Sequence, residues 1–260
     1  MDLENKKYLS FAHLAADTAS KVLIQFYKSK NIRKAHKNRG IKKELVTNID
    51  VRIEKNTIRL IKQYFPYHNV LGEESGFTGG KSDFTWIIDP IDGTKAFASG
   101  IPFFGFMISL KYKDEIILGL VDQPILRERY WNYNNFAFLN NKKIKTSNIR
   151  KISDASLVCT EPNMFSNYSE LHKHLFKKFN LVRWGTDVMG YMRCAEGIVD
   201  AVIERNIKLW DVAAVEPIIK MAGGEITTWN GDRVGSNDTV CASNNKYLHQ
   251  KLLKNLQKFI

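Results

Sequence analysis

Between residues 8 and 27 the apolar side chains Tyr8, Phe11, Ala12, Ala15, Ala19, Val22, Leu23 and Phe26 recur three or four positions apart. That spacing lays one stripe along a helix and predicts a long amphipathic helix near the start of the chain. Ile49, Ile53, Leu60, Ile61 and Tyr64 repeat the pattern as far as Pro66, which predicts a second helix. Between residues 84 and 122 the pattern changes. The runs FTWIID, FFGFMISL and EIILGLV are apolar and rich in β-branched and aromatic residues, with Gly, Pro and a Lys-Asp-Glu turn between them. They predict strands, the last two forming a hairpin. RERYWNY and NFAFLN, parted by Asn-rich turns, extend the same antiparallel sheet.

Past residue 150 strands and helices alternate. SLVCT, LVRW, VDAVIE, EITTW and TVCAS read as strands, and residues 170–179, 188–196, those following Asp211 and those following Lys246 read as helices. Such alternation points to a layered α/β half. We therefore expect two halves, 1–150 and 151–260, packed tightly because no Pro/Gly/Ser linker marks their boundary. No internal repeat is visible.

With 44% hydrophobic and 12% aromatic residues, 260 residues can bury one large core or two in contact, which excludes a disordered chain. No apolar run approaches the roughly 18 to 20 residues that span a membrane, and MDLENKKYLSF carries no apolar leader. A cytoplasmic protein with no membrane partner is expected. Three cysteines, Cys159, Cys194 and Cys241, are too few and too scattered for a disulfide framework or a CxxC metal site, and read as reduced core thiols. Sequons at Asn167 and Asn237 read as chance matches.

The formal charge of +12 favours anionic partners. Eight Lys or Arg and no acid fall within residues 28–43, KSKNIRKAHKNRGIKK. The segment reads as a solvated loop, with steering of phosphate substrates as the alternative. It lacks the aromatics that single-strand binders interleave with their cations, so no nucleic acid is expected.

Candidate chemistry centres on Asp89-Pro90-Ile91-Asp92-Gly93-Thr94, directly after an apolar strand. A hard divalent cation takes oxygen ligands, and Asp89, Asp92 and the Ile91 carbonyl could offer three from one turn. Gly93 and Thr94 can present backbone N–H groups to an anion. An acidic turn with an Asp-Gly bend is the bland alternative. Glu73 and Glu74 in GEESG, Asp211 in LWDVAA and Asp50 in ELVTNID are further acids, and clustered carboxylates are costly without a cation or a proton. Helix capping is the bland reading for Asp211, Asp50 and Asp187. The chain has no HExxH, GxSxG or Walker A motif, which leaves zinc, serine-hydrolase and P-loop chemistry without support.

In combination, GEES, DPIDGT and WDVAA, in that order, resemble the inositol monophosphatase superfamily, and ELVTNID and GGEIT extend the likeness over nearly the whole chain. TKAFASGIPFFGFMISL, LGLVDQPILRERYW, CTEPNMF and WGTDVMGY are similar to its histidinol-phosphatase branch, with Lys95 where that branch carries Arg. The resemblance implies a layered αβαβα sandwich with an antiparallel N-terminal sheet and a mixed C-terminal sheet. It implies a Mg²⁺-dependent phosphatase with two to three ions, a small phosphate monoester as substrate, and a homodimer. Glu73, Asp89 and the Ile91 carbonyl would hold one ion, and Asp89, Asp92 and Asp211 a second. Glu73 and Thr94, the latter positioned by Asp50, would orient the attacking water, while Gly93 and Thr94 would hold the phosphate. Asp92, Asp187 and Glu204 would meet the leaving alcohol. Histidinol phosphate is the leading substrate and inositol 1-phosphate or a broad range of polyol phosphates the alternative. An RNA- or partner-binding protein on the same fold is the alternative without catalysis.

Overall fold

The computed structural model describes residues 2–39, 42–235 and 238–260. Helix α1 (Asp2–Phe26) opens the chain, and a two-stranded antiparallel ribbon of β1 (Lys34–Arg39) and β2 (Lys42–Thr47) leads into α2 (Asn48–Tyr64). From Lys34 onward the basic segment is thus a paired ribbon and not the loop its charge suggested: each residue of β1 has a cross-strand partner in β2, and the Lys37 ammonium pairs with Glu74. Gly40 and Ile41 of that segment and the sequon residue Asn237 lie outside the described residues. Helix α2 begins where the pattern predicted because Thr47 and Asp50 form a reciprocal capping box, and it ends before Pro66, which cannot continue it.

Strands β3 (Asn69–Gly72), β4 (Gly76–Thr78), β5 (Phe84–Asp92), β6 (Gly105–Tyr112), β7 (Glu115–Gln123), β8 (Glu128–Tyr133), β9 (Phe136–Leu139) and β10 (Lys142–Ile144) form one sheet, ordered β10-β9-β8-β7-β6-β5-β3-β4. It departs from the antiparallel expectation at one pair, β3 with β5, which run parallel. β3 and β4 are only four and three residues long and carry too little alternation to be seen in the sequence. The short helix α3 (Thr94–Ala98) follows β5.

In the second half, β11 (Ser156–Cys159), α4 (Tyr168–His174), β12 (Leu181–Trp184), α5 (Asp187–Ala195) and β13 (Ala201–Ile207) alternate as expected. α4 is shorter than predicted and passes into a 3₁₀ turn over Phe176–Lys178. The helical run around Asp211 divides into α6 (Leu209–Ala213) and α7 (Val215–Ala222), followed by β14 (Glu225–Thr227), β15 (Asp238–Ser243) and α8 (Lys246–Leu256). The second sheet, ordered β12-β11-β13-β15-β14, is mixed: the first three strands are parallel and the rest antiparallel.

Three apolar layers hold these parts together. Phe11, Leu23, Ile49 and Ile53 of the first two helices meet Trp86, Ile88, Phe106 and Ile108 on one face of the large sheet. Met107, Val121 and Tyr130 on its other face meet Met189, Val215 and Ile219 of α5 and α7. Leu157, Ile203 and Cys241 of the small sheet bury Phe176, Leu248 and Leu252. The order is helix, sheet, helix, sheet, helix. Burial on both faces explains the nearly unbroken apolar runs of β5 to β7, and each large side chain so buried stabilises the fold by about 2 kcal/mol. Among the described residues no helix is long and apolar enough to cross a membrane.

Candidate active site

Strand β5 lies inside the large sheet and ends on Asp89-Pro90-Ile91-Asp92. Its register against β6 shifts between Asp89 and Asp92, where Pro90 has no N–H to give to the ladder. Ile91 donates its N–H to Asp89 Oδ1 at 3.0 Å, which holds the turn. Asp92 Oδ2 accepts the Val188 N–H at 2.5 Å, so the first turn of α5, from the other half of the chain, fixes this carboxylate. Gly93 has φ +80°, and a Cβ there would lie 2.6 Å from the Phe103 carbonyl oxygen; only glycine passes.

Thr94 opens α3, and its Oγ1 lies 3.1 Å from Asp50 Oδ1 and 3.0 Å from the Ile91 carbonyl. The other Asp50 oxygen accepts the Thr47 N–H at 2.8 Å and hydroxyl at 2.5 Å. Burial raises the pKa of Asp50, and these hydrogen bonds oppose the rise. Asp211 stands in the first turn of α6, where its Oδ2 accepts the Lys208 N–H at 2.8 Å. The capping that the sequence offered as a bland alternative is therefore present at Asp50 and Asp211, and at both it employs one carboxylate oxygen. At α5 the N-cap position belongs to Thr186, and Asp187 follows it with φ +43°, a conformation uncommon outside glycine.

Oxygen atoms of Asp89, Asp92 and Asp211 lie within 4.8 Å of one another. They face a cavity of about 170 Å³ that is also lined by Glu73, Ile91, Gly93, Thr94, Asp187 and Glu204. Burial, then the charges of Glu73, Asp92 and Asp211, push the Asp89 pKa well above the usual carboxylate range. Burial, then Asp187 and Asp211, do the same to Asp92 against the pull of the Val188 N–H. Carboxylates gathered so closely cannot all ionise unless a cation joins them. The residues fit a hard divalent ion: the lining offers carboxylate, carbonyl and hydroxyl oxygens and no His or Cys.

The opposite wall is acidic too. Burial, and then Glu204, raise Asp187 to about 7, with Lys95 opposing. Glu204, on β13, accepts the Thr160 N–H at 3.0 Å, the Thr160 hydroxyl, and the Tyr191 hydroxyl at 2.8 Å; burial raises its pKa. Lys95 Nζ donates to Glu161 at 2.8 Å, joining two segments that flank the cavity.

The sequence profile of the inositol monophosphatase family matches residues 4–260. The chain belongs to the inositol monophosphatase family. Arabidopsis thaliana bifunctional phosphatase IMPL2, a chloroplastic protein, is 35% identical over 98% of this chain and 77% of its own length. A fructose-1,6-bisphosphatase/inositol-1-monophosphatase of Aquifex aeolicus is 31% identical over 99% and 98% of the two chains. A histidinol-phosphatase of Chlorobaculum parvum is 31% identical over 83% of each. Among solved structures, the extragenic suppressor protein suhB of Bartonella henselae superposes with a TM-score of 0.87 at 27% identity, covering 98% of this chain and 100% of that one.

As a phosphatase of this family, the chain brings Glu73, Asp89, Ile91, Asp92, Gly93, Thr94, Asp187, Glu204 and Asp211 to one cavity, with Asp50 behind Thr94. Sequence reasoning missed three residues that act on these. Thr160 and Tyr191 hold Glu204. Glu54, on α2, accepts the N–H groups of Glu74 at 2.8 Å and Ser75 at 2.7 Å, in the turn that carries Glu73. Glu54 had a signal: it stands four residues after Asp50, on the face that buries Ile49, Ile53 and Ile61, where a charge needs a partner.

Proposed function

We propose that the chain is a Mg²⁺-dependent phosphomonoesterase whose substrate is histidinol phosphate. The observation that carries the reading is the convergence of the Asp89, Asp92 and Asp211 oxygens within 4.8 Å of one another, beside Glu73 and the Gly93-Thr94 turn. In this reading Glu73, Asp89 and the Ile91 carbonyl hold one ion, and Asp89, Asp92 and Asp211 a second. Bound Mg²⁺ neutralises the phosphate dianion and makes water a better nucleophile.

The chain's own groups then have distinct tasks. With its proton given to Asp50, the Thr94 hydroxyl turns a lone pair toward the cavity and accepts a hydrogen bond from the attacking water, with Glu73 as the second acceptor. Backbone N–H groups of Gly93 and Thr94 orient the phosphate. Asp92, Asp187 and Glu204 face the leaving alcohol, where two carboxylates on the far wall suit an alcohol bearing an amine. Likeness to the C. parvum histidinol-phosphatase and the histidinol-phosphatase-like motifs support that substrate. A second reading, inositol 1-phosphate, is favoured by the A. aeolicus relative, which aligns with this chain over almost its full length. We expect a cytoplasmic homodimer, the dimer being open to light scattering.

Phosphate release from histidinol phosphate and inositol 1-phosphate, each with Mg²⁺ and with EDTA, tests the reading. We expect Mg²⁺-dependent release that is faster from histidinol phosphate. Release unaffected by EDTA would overturn the metal assignment, and a preference for inositol 1-phosphate would overturn the substrate. No release from any phosphate monoester would favour a binding protein.

A further inference from the structure

Glu54 does not line the cavity, yet it is buried and held close to it. It is 1% exposed. Burying a carboxylate is costly, and an apolar residue could fill the same space on the inner face of α2 without that cost. What the carboxylate does there is grip backbone: its two oxygens accept the N–H groups of Glu74 and Ser75, the two residues that directly follow Glu73. On the other side, the Glu73 N–H donates to the Ile88 carbonyl at 3.1 Å, next to Asp89. The Glu73 peptide is therefore clamped on both sides, which fixes the point from which its side chain reaches the cavity.

The preceding residue is shaped to permit this. A Cβ added at Gly72 would lie 2.5 to 2.7 Å from the carboxyl atoms of Glu54, so glycine is needed for the carboxylate to reach the turn. Gly72 has no positive φ, and the demand at this position is for space alone. One turn earlier on α2, Asp50 supports Thr94. Two acids four residues apart thus steady two different arms of the site from one rigid helix.

We propose that Glu54 is a positioning residue that fixes the Glu73 carboxylate for Mg²⁺ binding. This rests on the reading of Glu73 as a metal ligand. Hydrogen-bonded partners of metal ligands typically change metal affinity by roughly 10- to 100-fold when replaced; Glu54 acts one step further out, through the backbone of Glu74 and Ser75, and belongs at the lower end of that range. Glu54→Gln places an amide N–H₂ against one of the two backbone donors and releases that side of the turn.

The test is calorimetric titration of the purified chain with Mg²⁺ alone, with Tm recorded for each protein. We expect Glu54→Gln to raise the Mg²⁺ Kd about tenfold. Gly72→Ala, which dislodges the same carboxylate from a different position, is expected to raise it to a similar extent. The double variant should then be no worse than either single, because both remove one contact. Glu73→Gln is the control. If it leaves the Kd unchanged, the metal reading of Glu73 fails; if it weakens binding while Glu54→Gln and Gly72→Ala do not, only the positioning role fails. A merely structural role would lower Tm and leave the Kd of the folded protein where it was. Should Glu54→Gln be too unstable to purify, Gly72→Ala decides alone, and an unchanged Kd there overturns the proposal.

Discussion

Asp92→Asn keeps the shape of the side chain and an acceptor for the Val188 N–H, while removing one of three close charges. Two unit charges within 4.8 Å of each other, in surroundings of effective dielectric about 20, repel by about 3 kcal/mol. Part of that repulsion is relieved because Asp89 and Asp92 hold protons more tightly than free carboxylic acids. We therefore expect metal-free Asp92→Asn to be more stable than the parent by about 2 kcal/mol near pH 8, or roughly 5 °C in Tm. The direction of the pH dependence follows from the same shifts. Both pKa values are raised on folding, so the folded chain binds more protons than the unfolded one, and the metal-free parent loses stability as pH rises from the ordinary carboxylate range through the raised values. The advantage of the variant shrinks toward about pH 4, in the ordinary carboxylate range, where acids with raised pKa values are protonated and the parent is quietened. Excess Mg²⁺ is expected to reverse the order, because on the proposed metal assignment the parent gains stability from binding and the variant lacks a ligand. Turnover of the variant is expected to fall by roughly 100-fold or more. Thermal denaturation in EDTA and in excess Mg²⁺ at the two pH values, beside a phosphate-release assay, reads every part. A variant less stable than the parent in EDTA at the higher pH, or one with near-parental turnover in Mg²⁺, would refute the like-charge argument.

Further expectations concern other residues. Thr94→Val removes the hydroxyl between Asp50 and the cavity, so kcat is expected to drop about 100-fold with Mg²⁺ affinity retained, and Thr94→Ser to recover most of it; a loss of Mg²⁺ binding in titration would contradict the assigned role. Asp187 titrates at about 7, so an amine-bearing substrate is expected to bind more tightly as pH rises through that value and the acid becomes charged. In Asp187→Asn that component of the KM–pH profile vanishes; persistence of the full parental profile would point to another group. Glu204→Gln is expected to raise KM for histidinol phosphate more than for inositol 1-phosphate, and equal effects would remove Glu204 from amine recognition.

The parts of this molecule legible in its sequence are those with local causes. The stripe from Tyr8 to Phe26, the Thr47-Asp50 cap and the apolar runs of β5 to β7 each carry their instruction within a few residues. DPIDGT was legible for a similar reason, since proline, glycine and two acids in one turn narrow the choices. What escaped notice depended on distant partners. Residues 28–43 looked like a solvated loop because the order of the part from Lys34 onward comes from cross-strand pairing and from Glu74, which one-dimensional charge counting does not register. β3 and β4 are too short to show a period, and β3 is held by its parallel neighbour β5. Thr160 and Tyr191 fall in stretches that resemble the histidinol-phosphatase branch, but nothing local gives their role: they matter because β11 and α5 bring them to Glu204.

The bond from Val188 to Asp92 ties the end of β5 to a helix nearly one hundred residues further along the chain. During synthesis, Glu73, Asp89 and Asp92 leave the ribosome well before Val188 and Asp211 exist, and until then the early acids lack both the donor that steadies Asp92 and the last carboxylate of the cluster. In the proposed reading, catalytic competence is therefore withheld until the C-terminal layers have docked. Phosphate release from this chain would serve as a reporter of completed folding, and a fragment cut before residue 188 is expected to stay silent until the missing piece is supplied.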